Sequence, residues 1–112
     1  TVQLHGSESP EFCKRINADR IKYFSPKDFQ KIGEYDTEYY LFDSGTGTGN
    51  TFDWSKIPNT TVPFFLAGGI NKTNIADAIA KVNPYCIDLS SAVETDGKKD
   101  YNKIKEIMEI IR

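Results

Sequence analysis

Short apolar runs of strand-forming residues recur along this chain, and segments with helical spacing separate them. Leu41 and Leu66 lie 25 residues apart, and Leu66 and Asp88 lie 22 residues apart. This interval is typical of a strand and its following helix in a parallel sheet. The stretch between Leu4 and Leu41 has room for two more such units. The pattern therefore predicts an α/β fold with five βα units, and the length of the chain predicts a single domain over residues 1–112.

Helix-start signals support this alternation. Ser9-Pro10 and Ser25-Pro26 each place a serine cap before a proline that suits the first helical turn. We expect Cys13 to be a small core residue on the first helix, and residues 94–99 to form a polar loop before the last one. Asp100 caps that last helix, and its predicted core stripe consists of Ile104, Ile107, Met108 and Ile111.

The charge and cysteine content exclude several classes of protein. The net charge is −2 and the lysines are mixed among acidic residues, so nothing favours binding to nucleic acid or to an anionic membrane. No apolar run approaches the roughly 18 residues that a membrane span needs. Cys13 and Cys86 lack the spacing of a disulfide framework, which predicts a reducing, cytoplasmic environment.

Polar residues and glycines follow the ends of the predicted strands. Right-handed crossovers make consecutive strands of a parallel sheet run in the same direction, so these ends meet at one edge. Ligands of α/β folds bind at that edge. The strand-end residues are His5, Asp43, Gly68, Gly69, Asp88, Ser90 and Ser91.

The most distinctive of these ends lies in residues 39–54. Asp43 directly follows a predicted aromatic strand, and glycines occur after it at positions 45, 47 and 49. This pattern fits a ligand-covering loop behind a positioned acid, but it also fits a buried strand with an ordinary glycine turn. A phosphate-binding P-loop is excluded because Asn50, and not lysine, follows the last glycine.

Two successive turns near the end of the chain could bind a phosphate group. The diglycine Gly68-Gly69 follows one strand, and Ser91-Ala92 follows the next. Glycine allows close approach of the backbone, and free N–H groups at a helix start bind anions. Neither turn contains lysine or arginine, so backbone dipoles would hold the ligand charge.

Four motifs resemble the phosphoribosylanthranilate isomerase family of tryptophan biosynthesis. They occur in the family's order: VQLHG at 2–6, LFD with the glycine loop and TFDW at 41–54, LAGGIN at 66–71 and IDLSSAVE at 87–94. The resemblance implies a (β/α)8 TIM barrel. It further implies that this chain is a partial barrel, containing about strands 4–8 of the C-terminal portion.

The same resemblance implies an isomerase that needs neither cofactor nor metal. Its substrate, N-(5-phosphoribosyl)anthranilate, undergoes an Amadori rearrangement to 1-(2-carboxyphenylamino)-1-deoxyribulose 5-phosphate. By its position in the motif, Asp43 matches the family's general acid, and a strand-end carboxyl group under an aromatic cover suits proton donation. Four positions match the phosphate-binding turns: Gly68, Gly69, Ser91 and Ala92. His5 and Asp88 match polar positions at the mouth of the site, although a purely structural hydrogen-bonding role fits each equally well.

The chain also departs from the family pattern. The family's Lys-x-Cys-Gly motif, which carries the general base on strand one, does not occur, and neither does the arginine after strand two. Cys13 lies on a helix and Cys86 lies below the strand end, so neither replaces the base. The alternative is therefore an inactive fragment that keeps phosphate binding. An N-terminal truncation would leave two unpaired sheet edges. They could pair with the missing N-terminal half, self-associate, or relax into an open flavodoxin-like sheet.

Overall fold

The computed structural model describes residues 1–43 and 51–111. Five strands form one parallel sheet in which neighbours in sequence are also neighbours in space. The strands are β1 (Val2–Leu4), β2 (Arg20–Phe24), β3 (Tyr39–Phe42), β4 (Phe64–Leu66) and β5 (Cys86–Ile87). The predicted α/β fold with a parallel sheet is confirmed. The predicted glycine loop at 45–49 lies outside the described residues.

Helical segments connect the strands. They are α1 (Pro10–Lys14), α2 (Ile75–Val82), α3 (Tyr101–Ile111) and the 3₁₀ segments Pro26–Glu34, Trp54–Lys56 and Ser91–Val93. The predicted serine cap of α1 is confirmed, because the Phe12 N–H donates to Ser9 Oγ at 3.1 Å. Asp100 likewise accepts from the Asn102 N–H at 2.9 Å. None of the described helices is long and apolar enough to cross a membrane.

The region 94–99 differs from the predicted loop. It forms an antiparallel hairpin of β6 (Glu94–Thr95) and β7 (Lys98–Lys99). Its turn residues, Asp96 and Gly97, have φ angles of 54° and 77°. Positive φ at both central residues is the geometry of a type I′ turn, which Asp-Gly favours. The hairpin therefore follows from local turn chemistry.

The strand order distinguishes the predicted barrel order from the order of an open flavodoxin-like sheet. The observed order is β1-β2-β3-β4-β5. A flavodoxin-like sheet has the order 2-1-3-4-5, because its chain reverses direction across the sheet after the second strand. Here each crossover adds the new strand on the same side as the last. The flavodoxin-like alternative is therefore wrong for the described residues.

The two faces of the sheet are different. Helices pack on one face, which we call the covered face, where Phe42 and Leu66 are both fully buried. Alternate residues point to the other face, which we call the open face. There the rings of Tyr39, Phe65 and Tyr85 lie 5.5–6.2 Å apart, and Tyr85 remains 65% exposed.

The predicted core stripe of α3 is largely wrong for this chain. Only Ile107 is buried, at 3% exposure. Ile104, Met108 and Ile111 are between 39% and 41% exposed. The helix packs against α2 and against the Ser91–Val93 turn on one side, and the rest of its apolar stripe extends beyond them. The periodicity correctly marks an apolar face, but these elements cover only part of it.

Candidate functional site

Asp43 and Asp88 occupy equivalent positions, each one residue past the end of its strand. The Ala67 N–H donates to the Phe42 carbonyl at 2.9 Å, and the Asp88 N–H donates to the Leu66 carbonyl at 2.9 Å. Phe42 pairs with Leu66, and the same register continues into β5. Asp43, Ala67 and Asp88 therefore form one row across the sheet, on the open face. This is the edge at which parallel α/β folds bind ligands.

His5 lies on the same face, next to Tyr23 of β2. Leu4 pairs with Lys22, so the next residue, His5, stands opposite Tyr23. The two rings are stacked, with centroids 4.0 Å apart and planes at 11°. Gln3 Nε2 lies 3.1 Å from His5 Nδ1. The imidazole is thus held in a defined orientation, with part of its surface exposed.

The strand-end acids interact electrostatically. Removal from water is the main reason why the pKa of Asp88 is raised, and the charge of Asp43 raises it further. His5 and Lys99 act in the opposite direction, lowering this pKa. Burial raises the pKa of Tyr23 as well, and Asp43 again contributes. The predicted residues His5, Asp43 and Asp88 therefore share one electrostatic environment.

Lys99 is a residue that sequence reasoning missed. The hairpin brings its Nζ to 2.6 Å from Glu94 Oε2 and to 3.4 Å from the Ser90 carbonyl. Lys99 thus places a positive charge next to the turn that begins at Ser90, which itself contains no lysine or arginine. The Asp96-Gly97 dipeptide was the available signal, because it predicts a two-residue hairpin that folds the chain back.

The diglycine turn requires glycine at both positions. Gly68 and Gly69 have φ angles of 90° and 72°, a region that other residues occupy only with strain. Asn74 Nδ2 donates to the Gly69 carbonyl at 2.9 Å. The Asn71 N–H in turn donates to Asn74 Oδ1 at 2.8 Å. These bonds tie the turn to the start of α2.

Ser91 and Ala92 line a cavity of about 410 Å³ beside this turn. Its other described lining residues are Asn71, Lys72, Thr73, Lys103, Glu106 and Ile107. The cavity therefore joins the Ser91–Val93 turn to the segment that follows the diglycine. Gly68 and Gly69 are not among the described lining residues, so this cavity alone does not unite the four predicted phosphate-binding positions.

The cysteines lie where the sequence placed them. Cys13 is 1% exposed, and burial raises the pKa of its thiol, as expected for a core residue. Cys86 pairs with Phe65 on the open face, two residues before Asp88. It is thus one layer below the strand ends. Both thiols are free.

Comparisons with known proteins find relatives across nearly the whole chain. Residues 1–110 match the family model described as N-(5'phosphoribosyl)anthranilate (PRA) isomerase. The chain belongs to this family. A protein of this name from Endomicrobium trichonymphae is 43% identical over 120 residues, with 99% of this chain and 60% of the relative covered. Another from Bacillus mycoides (strain KBAB4) is 44% identical over 119 residues, with 96% and 58% covered.

Solved structures of the isomerase family share the fold. Phosphoribosyl anthranilate isomerase from Thermococcus kodakaraensis has a TM-score of 0.81 at 30% identity, with 98% of this chain and 62% of that chain covered. A phosphoribosyl anthranilate isomerase in complex with reduced 1-(o-carboxyphenylamino)-1-deoxyribulose 5-phosphate has a TM-score of 0.70 at 31% identity, with 96% and 56% covered. The resemblance predicted from the four motifs is confirmed. The chain spans about 60% of the length of the curated relatives it matches.

Proposed function

We propose that this chain forms strands 4–8 of a (β/α)8 barrel that isomerises N-(5-phosphoribosyl)anthranilate in tryptophan biosynthesis. The observation that carries the proposal is the row of Asp43, Ala67 and Asp88 at the carboxyl edge of a sheet whose chain matches the isomerase family over residues 1–110. The sequential strand order is the order of a barrel. The two free cysteines support a cytoplasmic location.

Asp43 is the proposed general acid. It donates a proton to the furanose ring oxygen, the bond from that oxygen to the anomeric carbon breaks, and a Schiff base forms. A base then removes the proton from the adjacent carbon, and the resulting enolamine tautomerises to the ketone product. Asp43 is assigned this role because it matches the position of the acid in the family motif and stands at the carboxyl end of its strand. No cofactor or metal is needed for these steps.

The phosphate group would lie at the turns after β4 and β5. Gly68 and Gly69 expose backbone at positive φ, and Ser91 and Ala92 open a helical turn whose first N–H groups lack intrahelical partners. Lys99 adds a cation beside this turn. His5 and Asp88 would line the mouth of the site. These assignments follow the match of each position to the family motifs.

The general base would come from outside the 112 residues. The chain lacks the Lys-x-Cys-Gly motif, and both of its cysteines lie away from the strand ends. We propose that an N-terminal barrel segment supplies the base and covers the exposed apolar residues of α3. Self-association of the chain would cover the same residues without supplying a base.

The test is turnover of phosphoribosylanthranilate, followed by the loss of its fluorescence. The chain is assayed alone and joined to the N-terminal portion of the Bacillus mycoides relative. We expect turnover only in the joined protein. Turnover by the chain alone would contradict the need for an external base. A folded joined protein that binds inorganic phosphate but shows no turnover would overturn the isomerase proposal in favour of the inactive fragment.

A further inference from the structure

Lys22 is a buried cation that the proposed reaction does not use. It lies in the middle of β2 and is only 3% exposed. Lysine is almost never this buried unless its charge has partners. Its Nζ donates to the Gly6 carbonyl at 2.8 Å and to Glu8 Oε1 at 3.3 Å. Both partners belong to the turn that follows β1.

Two aromatic rings complete the surroundings of this ammonium group. Nζ lies 5.6 Å from the centre of the Phe24 ring and 5.3 Å from that of Tyr35. Aromatic faces at this range attract a cation. Lys22 and Phe24 are two residues apart on one strand, so they share the covered face, whereas Tyr23 points to the open face. The lysine thus reaches the turn from behind the site.

The turn itself is held from three directions. Glu8 Oε1 accepts from the Gly6 N–H at 3.0 Å as well as from Lys22. The Tyr35 hydroxyl donates to the Glu8 carbonyl at 2.7 Å. Gly6 is therefore bonded through both its N–H and its carbonyl.

Stability alone is a poor explanation for a lysine at this position. Replacing a buried ion pair by apolar residues of similar volume is often neutral or stabilising. What a lysine adds is directional bonding to one chosen backbone carbonyl. That carbonyl belongs to Gly6, the residue directly after His5, and the His5 ring stacks on Tyr23, the neighbour of Lys22.

We propose that Lys22 is a positioning residue that fixes the turn after β1 and thereby holds the His5 imidazole at the edge of the substrate site. The link from Lys22 to His5 stands on the contacts above. Its effect on turnover rests on the proposed isomerase function.

The first test needs no activity. His5 is the single histidine of the sequence, so its ring protons give one identifiable pair of NMR signals. Stacking on Tyr23 shifts these signals through the aromatic ring current. We expect Lys22→Met to move them toward the values of an unstacked histidine while the signals of α2 and α3 stay in place. Lys31→Met is the matched control, because Lys31 is 55% exposed and pairs with Asp28, three residues before it. Unchanged His5 signals in a folded Lys22→Met variant would overturn the proposal.

The second test measures kcat and KM in the protein joined to its N-terminal portion. We expect Lys22→Met to lower kcat/KM by up to about 100-fold, the scale of a small misplacement in a site. In a His5→Ala background the same change should have little further effect, because Lys22 acts through His5. Equal losses in both backgrounds, or full activity in His5→Ala, would overturn the proposal. A wild-type joined protein without turnover would instead refute the proposed function and leave the NMR test intact.

Tyr35→Phe keeps the test usable if Lys22→Met does not fold. This change removes the hydroxyl that bonds to the Glu8 carbonyl and retains the ring beside Lys22. The same His5 signals should move in the same direction by a smaller amount. A folded Tyr35→Phe variant with unchanged His5 signals would count against the proposal.

Discussion

Acidic side chains at the two ends of the sheet have pKa values that are shifted in opposite directions. Glu38, just before β3, accepts from the Arg20 N–H at 2.8 Å, from Nε at 3.1 Å and from Nη2 at 3.0 Å. These bonds to Arg20 are the main reason why its pKa is lowered to about 2. Asp88, just after β5, has a raised pKa because it is removed from water and lies near Asp43.

This difference distinguishes an ion pair that stabilises the fold at the amino end from the carboxyl groups of the proposed active site at the carboxyl end. At the amino end, a cation on β2 and an acid before β3 join the two strands with opposite charges. At the carboxyl end, two acids of like charge stand in one row, which does not help folding. Arrangements that raise a carboxyl pKa in this way cluster at functional sites. In (β/α)8 barrels generally, catalytic residues lie at the carboxyl ends of the strands, and the amino ends contribute to stability.

The largest effect on folding is expected at the diglycine turn of the carboxyl end. Gly68→Ala places a side chain at a φ of 90°, and such strain costs about 1–3 kcal/mol. Gly33→Ala is the matched control, because a Cβ there meets no atom of the described residues within 4 Å. Urea unfolding of both variants gives the free energies. An equally small change in both would show that the diglycine turn is not constrained.

A smaller effect is expected for the acid of the amino end. Glu38→Gln should cost no more than about 1 kcal/mol at pH 7, because the carboxylate is 40% exposed and its ion pair is screened by solvent. The ion pair stabilises the fold above the usual carboxyl pKa of 4.5, and this contribution is lost as the pH falls toward 2. The difference between wild type and variant in urea unfolding should therefore shrink from pH 7 to pH 3. A difference that grows with acid would contradict the assigned ion pair.

The smallest effect is a shift in one titration at the carboxyl end. Lys99 lowers the pKa of Asp88, so Lys99→Met should raise that pKa further. The carboxyl carbon of Asp88 reports this pKa in an NMR titration. Lys98→Met, the adjacent position of the hairpin, provides the comparison. An unmoved Asp88 titration in Lys99→Met would remove Lys99 from the site.

The sequence predicted the strand ends better than their surroundings. The spacing of apolar runs placed Asp43 and Asp88 at one edge, because strand direction follows from the crossover rule. It missed the hairpin at 94–99, since strands of two residues are too short to show periodicity. It also missed the partners of Lys22, which lie 14 and 16 residues away in the chain.

The stripe of α3 shows a second limit. Its spacing correctly indicates an apolar face, yet Met108 is 41% exposed. A periodic pattern indicates that one face of a helix is apolar. It does not indicate whether the same polypeptide contains the element that covers this face. The proposed N-terminal segment would provide that element.

The most direct test of the account exchanges one carboxylate for an amide at each end of the sheet. In the joined protein, Asp43→Asn should lower kcat by about 10²–10⁴, the usual contribution of a positioned acid, with little change in the urea midpoint. Glu38→Gln should lower the midpoint slightly and leave kcat unchanged. Full turnover in a folded Asp43→Asn variant would contradict the assignment of Asp43 as the acid.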